Sequence, residues 1–363
     1  METTQETELQ PHKRMLYPDI LRIMAIFAVM MTHICGYGFF NYDVSSLDWQ
    51  IVNAFDCLTR WAVPVFLMVS GMFFLDPQKE ITIQKLYRKN ITRIFVALLF
   101  WGGSYQSANI IKRVFFESTD FNVAVIDATK AFISGPAWYH LWFLYLIIGL
   151  YMFVPLFRIF TKNAVERHYK YLFILFFIFG CVIPLLQDLV LCTNNSFTIF
   201  FDLKEFPGYC CYFIFGYYLS KHDIPPKATK FIYLTAIFSV LIQFMGTSLI
   251  SNKFGQATEI LHRYFTPNVA IQAIAIFLFV KDFGSRLKNS NKASQFIGLL
   301  GKYSFGMYLV HDFFNGIFYR IGFSSMNISP IFDIPLRTLA TFVSSFLIVC
   351  LLARIPIIKK YCM

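Results

Sequence analysis

The run Leu16-Tyr-Pro-Asp19-Ile-Leu-Arg22-Ile-Met-Ala-Ile-Phe-Ala-Val-Met-Met-Thr-His33-Ile-Cys-Gly-Tyr37 decides the fold class. It is apolar over about the 20 residues that a helix needs to cross a hydrocarbon layer about 30 Å thick, yet it carries three ionisable side chains. The run is too long for the hydrophobic region of a signal peptide and no small-residue cleavage site follows it, so it is expected to stay in the mature chain. An ionisable residue inside a bilayer is costly and therefore points to function. Eleven helical residues turn through three turns plus about 20°, which sets Arg22 and His33 on one face about 16 Å apart. Snorkelling or pairing with Asp19 is the structural alternative for Arg22, and an interhelical hydrogen bond is the alternative for His33.

The pattern repeats along the chain. Of its 363 residues, 57% are hydrophobic, 15% are charged and 44 are phenylalanine, well below the roughly 25% charged content of soluble domains. Apolar runs predict ten spans, at about 16–37, 51–75, 92–111, 138–157, 171–190, 206–220, 231–250, 266–281, 296–319 and 336–353. This is an all-α, polytopic membrane protein. A polar leader occupies residues 1–14, the transmembrane domain 15–353 and a short tail 354–363.

The net charge of +11 does not predict a nucleic-acid partner, because the basic residues recur in short loops and form no long basic segment. Alternate loops, with the spans so placed, hold 22 of the 32 basic residues, which predicts that both termini are cytoplasmic. The opposite loops hold few, among them Arg320 and Arg337. All five tryptophans then fall in the outer half, as an interfacial belt or as faces for a sugar. The eight cysteines show no metal-ligand spacing and read as apolar fillers; Cys35 and Cys57 fall near one membrane face and could pair. No metal and no soluble domain are expected. Residues 112–137 read as an amphipathic or re-entrant element on the bilayer.

Further polar residues gather in the outer half. On the second span Asp56 and Arg60 stand one turn apart and are expected to pair, with Ser70-Gly71 lower on the same helix. His140 lies beside Trp142, and His311 beside Tyr308 and Asp312. Any of these could face a cavity with His33.

Five blocks in order carry a family resemblance: Tyr17-Pro-Asp-Ile-Leu-Arg22 through His33, Val63-Pro64 to Ser70-Gly71, Tyr87-Arg88-Lys89-Asn90-Ile-Thr-Arg93-Ile94, His140-Leu-Trp142-Phe143-Leu-Tyr145, and Tyr303-Ser-Phe-Gly-Met-Tyr308-Leu-Val-His311. On these the chain resembles the acyltransferase 3 family of integral membrane acyltransferases, nearest the stand-alone surface-polysaccharide O-acetyltransferases such as those that modify enterobacterial common antigen. It departs from the family pattern at Asn90, where a second arginine is frequent, and at Ala97, where proline is. The resemblance implies a bacterial cytoplasmic-membrane enzyme that moves an acetyl group from acetyl-CoA to a glycan hydroxyl at the outer face. It implies catalytic roles for His33, Arg22 and Asp19, and donor binding by Arg22, Arg88, Lys89, Arg93 and Ser70. Asp56, Arg60, His140, Trp142, Tyr308 and His311 are acceptor-side candidates. The other functional class open to such a sequence is a transporter or flippase with an intramembrane proton relay. The sequence sets no oligomeric state.

Overall fold

The computed structural model describes residues 15–191, 206–287, 292–321 and 328–362. The leader 1–14 and the loop cations Lys204 and Lys288 lie outside the described residues. Helices follow one another through the chain: α1 (Tyr17–Asn41), α2 (Leu47–Cys57), α3 (Ala62–Phe74), α4 (Ile83–Phe116), α5 (Phe121–Ser134), α6 (Trp142–Asn163), α7 (Glu166–Val190), α8 (Phe206–Lys221), α9 (Pro226–Phe254), α10 (Pro267–Ser285), α11 (Lys292–Arg320), α12 (Pro330–Leu352) and α13 (Pro356–Tyr361). No strand is present among the described residues. Prolines open α1, α9, α10, α12 and α13, where the missing N–H would have no partner in any case.

Among the described residues, eight spans are long and apolar enough to cross a membrane. The other two predicted spans are also helical: α8, of 16 residues, and α11, which carries Lys302, His311 and Asp312. Large apolar side chains stand exposed along α9 and α12, among them Phe231, Phe238, Ile242 and Leu249, and Leu339, Val343, Leu347 and Leu351. Such faces need a lipid solvent. The segment after α4 forms the helix α5 (Phe121–Ser134).

One predicted span is interrupted. The helix from Leu47 stops at Cys57, turns through residues 58–61 and restarts at Ala62. Pro64 has no N–H to offer the carbonyl four residues earlier, and its ring crowds that carbonyl. The loosened turn is satisfied locally: Thr59 Oγ1 donates to the Asp56 carbonyl at 2.9 Å and Trp61 Nε1 to that of Leu58 at 2.7 Å.

α1 sits at the centre and packs on α2, α3, α10, α11 and α12. Its polar side chains therefore face protein instead of lipid. α3 and α8 approach most closely, through reciprocal glycines: a Cβ on Gly71 would fall 1.7 Å from the Phe213 carbonyl oxygen, and one on Gly216 1.9 Å from that of Met68.

Several expectations need correction. Arg337 is no loop cation, because α12 begins at Pro330; it is 2% exposed and pairs with Asp333 at 3.1 Å within the helix. Trp49, Trp61 and Trp101 are buried rather than interfacial, and their indoles donate to the carbonyls of Phe39, Leu58 and Cys362. The bond from Trp101 to Cys362, at 2.7 Å, also turns the tail back along α4. Cys35 and Cys57 are both free thiols.

Candidate functional site

A cavity of about 340 Å³ runs through the helices around α1. Arg22 and His33 both line it, so the shared face read from the sequence faces an internal space. α3 runs antiparallel beside them and fixes the two levels. Thr32, next to His33, donates to Thr59 at 2.8 Å, whereas the Arg22 guanidinium lies 4.8 Å from the Phe73 ring.

The Arg22 end is basic. Arg22, Arg93 and Lys302 line it together with Asn90. Arg22 is held by Asp19 at 3.4 Å, and Asp19 is itself buried against α11 at Gly301, where an added Cβ would come within 2.6 Å of its carboxylate. Asp19 does not line the cavity and acts on it through Arg22. The Arg93 guanidinium lies 6.0 Å from the Phe305 ring. Arg88 and Lys89 are exposed and do not line the cavity. They fall on the π-helical turns Leu86–Ile91, whereas Asn90 on the same turns and Arg93 on the α-helix that follows line the cavity. Ser70 lines the wall and hydrogen-bonds Tyr151.

At the other end three imidazoles meet. The His33 ring stacks on His311 with centroids 5.2 Å apart, and His140 lies edge-on to both, at 6.3 Å from His33 and 4.8 Å from His311. The Tyr139 ring stands edge-on to His33 at 5.1 Å, and its hydroxyl donates to Asp312, as does the Trp138 indole at 2.6 Å. His311 is fully buried, and its Nδ1 lies 2.6 Å from the Tyr308 carbonyl. A carbonyl only accepts, so Nδ1 carries the proton and Nε2 keeps its lone pair. Tyr308 donates to the His140 carbonyl, which ties α11 to the turn before α6.

The remaining acceptor-side candidates separate. His140, Trp142, Tyr308 and Arg60 line the cavity; His311 backs His33; Asp56 is buried behind Arg60. Arg60 binds Asp56 through two nitrogens and Glu259 at 3.1 Å, and His262 Nδ1 lies 2.7 Å from the same Asp56 carboxylate. The sequence reading missed Lys302, Thr59, Tyr151, Tyr264 and His262. Only Lys302 had a local signal, since it sits one residue before the Tyr303–His311 block. The cavity thus joins a cationic end, suited to anionic oxygens, to an end of three clustered imidazoles, a side chain suited to taking a proton.

A family model described as an acyltransferase domain matches residues 15–354. No curated protein and no solved structure shows a significant match. With nearly the whole chain inside that match, the protein belongs to the acyltransferase 3 family of integral membrane acyltransferases.

Proposed function

We propose that the protein is a membrane O-acyltransferase that moves an acetyl group from acetyl-CoA to a hydroxyl of a surface or lipid-linked polysaccharide. The observation that carries this reading is one cavity lined by Arg22, Arg93 and Lys302 at one end and by His33, His140 and Tyr308 at the other. With the basic end turned to the cytoplasm, as the loop charges predict, those cations hold the phosphates of coenzyme A. A volume of about 340 Å³ is at the small end of ligand pockets; it suits the thioester arm, leaving the nucleotide at the mouth.

His33 is the general base. Its neutral imidazole takes the proton of the acceptor hydroxyl as the oxygen attacks the thioester carbonyl, and coenzyme A leaves as the thiol after accepting a proton. General-base catalysis of this kind contributes about 10² to 10⁴ in rate. His311, stacked on His33, orients that ring, and the Arg60 guanidinium, which lines the same cavity, is the donor we assign to the oxyanion. The enzyme works in the bacterial cytoplasmic membrane.

A transporter reading gains one observation, the interrupted second span beside Arg60, since broken helices mark many transporter sites. Mass spectrometry of surface glycans with and without the gene separates the two. Loss of O-acetyl esters on deletion is expected; unchanged esters, with coenzyme-A-independent solute uptake by the protein in vesicles, would replace the acyltransferase reading.

A further inference from the structure

A second, larger chamber of about 920 Å³ opens beside the first, lined by residues of α6, α7, α8 and 259–266. Arg60, Trp142 and Tyr264 line both chambers. They form the partition between them: Trp142 and Tyr264 stack at 5.9 Å and 22°, and Arg60 is fixed by Asp56 and Glu259. Whatever fills the second chamber therefore sits one side chain from the space that His33 lines.

The walls combine aromatic faces with acids. Tyr209 lies 5.9 Å from Trp142 and 4.6 Å from Phe265 by ring centroids, and Gly208 is required there because a Cβ would come within 2.5 Å of the Phe265 ring. Aromatic faces match the C–H faces of sugar rings, and carboxylates accept from their hydroxyls. Both lining arginines are already matched, Arg60 by Asp56 and Glu259 and Arg263 by Asp188. Glu259 remains 43% exposed while paired, so one side of its carboxylate faces open space. An acidic sugar entering here would have to displace a carboxylate from an arginine or set its own charge beside Glu259 and Asp188.

We infer that this second chamber is the acceptor site and that it takes an uncharged sugar ring, delivering one hydroxyl past Trp142 and Arg60 to His33. This rests on the acyl-transfer reading for its role but not for its ligand. Binding is measured on the purified full chain by protection of a thiol introduced by Leu185→Cys, with Leu146→Cys as a second reporter on the opposite wall and the unmodified chain as background. Both positions line the chamber. Methyl β-glucoside should slow maleimide labelling at least about threefold, the protection reached at twice the dissociation constant, and methyl β-glucuronide should not. Tyr209→Ala and Glu259→Gln should abolish the protection. No protection at either reporter, stronger protection by the glucuronide, or protection that survives both substitutions would overturn the inference. Sugar protection in a chain that fails to bind coenzyme A would instead remove the acyltransferase reading and leave the sugar site standing.

Discussion

Replacing Gly71 by alanine should destabilise the protein and distort the cavity together. The added methyl would lie 1.7 Å from the Phe213 carbonyl oxygen and 2.6 Å from its carbon. Ordinary contact begins near 3.4 Å, so α3 and α8 would have to separate by about 1.7 Å along that line. Both obstructing atoms are backbone, and the reciprocal contact of Gly216 with Met68 blocks sliding in place of separation. Overpacking of this kind costs about 1–3 kcal/mol and sometimes more, and backbone on both sides puts this site at the upper end. In the purified protein that corresponds to a fall in Tm of about 4 °C. Ser70 is the next residue, so its hydrogen bond to Tyr151 and its place on the wall should be lost as well. Gly103→Ala is the control, because a methyl there meets nothing within 4 Å; it should be neutral or stabilising by up to about 1 kcal/mol. Equal melting temperatures for Gly71→Ala and Gly103→Ala would refute the close approach of α3 and α8.

Asp56→Ala should lower stability by about 3–5 kcal/mol by leaving the buried Arg60 and His262 without their shared carboxylate, whereas Glu259→Ala, on the exposed side of Arg60, should cost less than about 1 kcal/mol; thermal unfolding of both variants checks the contrast. Arg22→Ala, Arg93→Ala and Lys302→Ala should each weaken coenzyme A binding by about tenfold or more, the loss of one charge-assisted contact. Arg88→Ala and Lys89→Ala should leave it nearly unchanged, and calorimetric titration distinguishes the two sets. Burial opposes ionisation of Asp76, but the Lys221 ammonium at 2.9 Å and the Gln78 N–H hold its carboxyl below the ordinary value. A carboxyl of lowered pKa stabilises the fold fully above about pH 4 and loses that contribution as pH falls through the lowered value. The stability difference between the natural chain and Asp76→Asn, read as a shift in Tm, should therefore be about 1 kcal/mol or less at pH 7, because the Lys221 side of the pair is 39% exposed, and should vanish in acid.

Eight of the ten predicted spans were legible as membrane crossings because each must be apolar for about 20 residues, a constraint written locally into runs such as Tyr17–Tyr37. The shared face of Arg22 and His33 was equally legible, since helix geometry alone fixes it. The break at residues 58–61 was written in Pro64, whose effect falls four residues upstream, inside an apolar run that reads as continuous. Arg337 reads as a loop cation because it stands at the very start of the last apolar run, whereas the helix begins at Pro330 and pairs it with Asp333 one turn earlier. His262 lies 206 positions from Asp56, and no local pattern announces such a pairing. The polar seam of α9 did carry a signal: Ser239, Gln243, Thr247 and Ser251 recur every fourth residue and are all buried, the spacing of one helix face. Arg88 and Lys89 showed the reverse case, a basic run whose densest part, on π-helical turns, is exposed.

The central claim is that His33 removes the proton from the acceptor hydroxyl. The most direct test restores His33→Ala and the natural gene separately to deletion cells and measures O-acetyl esters on the surface glycans by mass spectrometry, with coenzyme A binding measured on each purified protein. Binding within about twofold of the natural chain, which is less than 0.5 kcal/mol, together with loss of all but a few per cent of the esters, is the predicted result. Substantial ester formation by the alanine variant would contradict it.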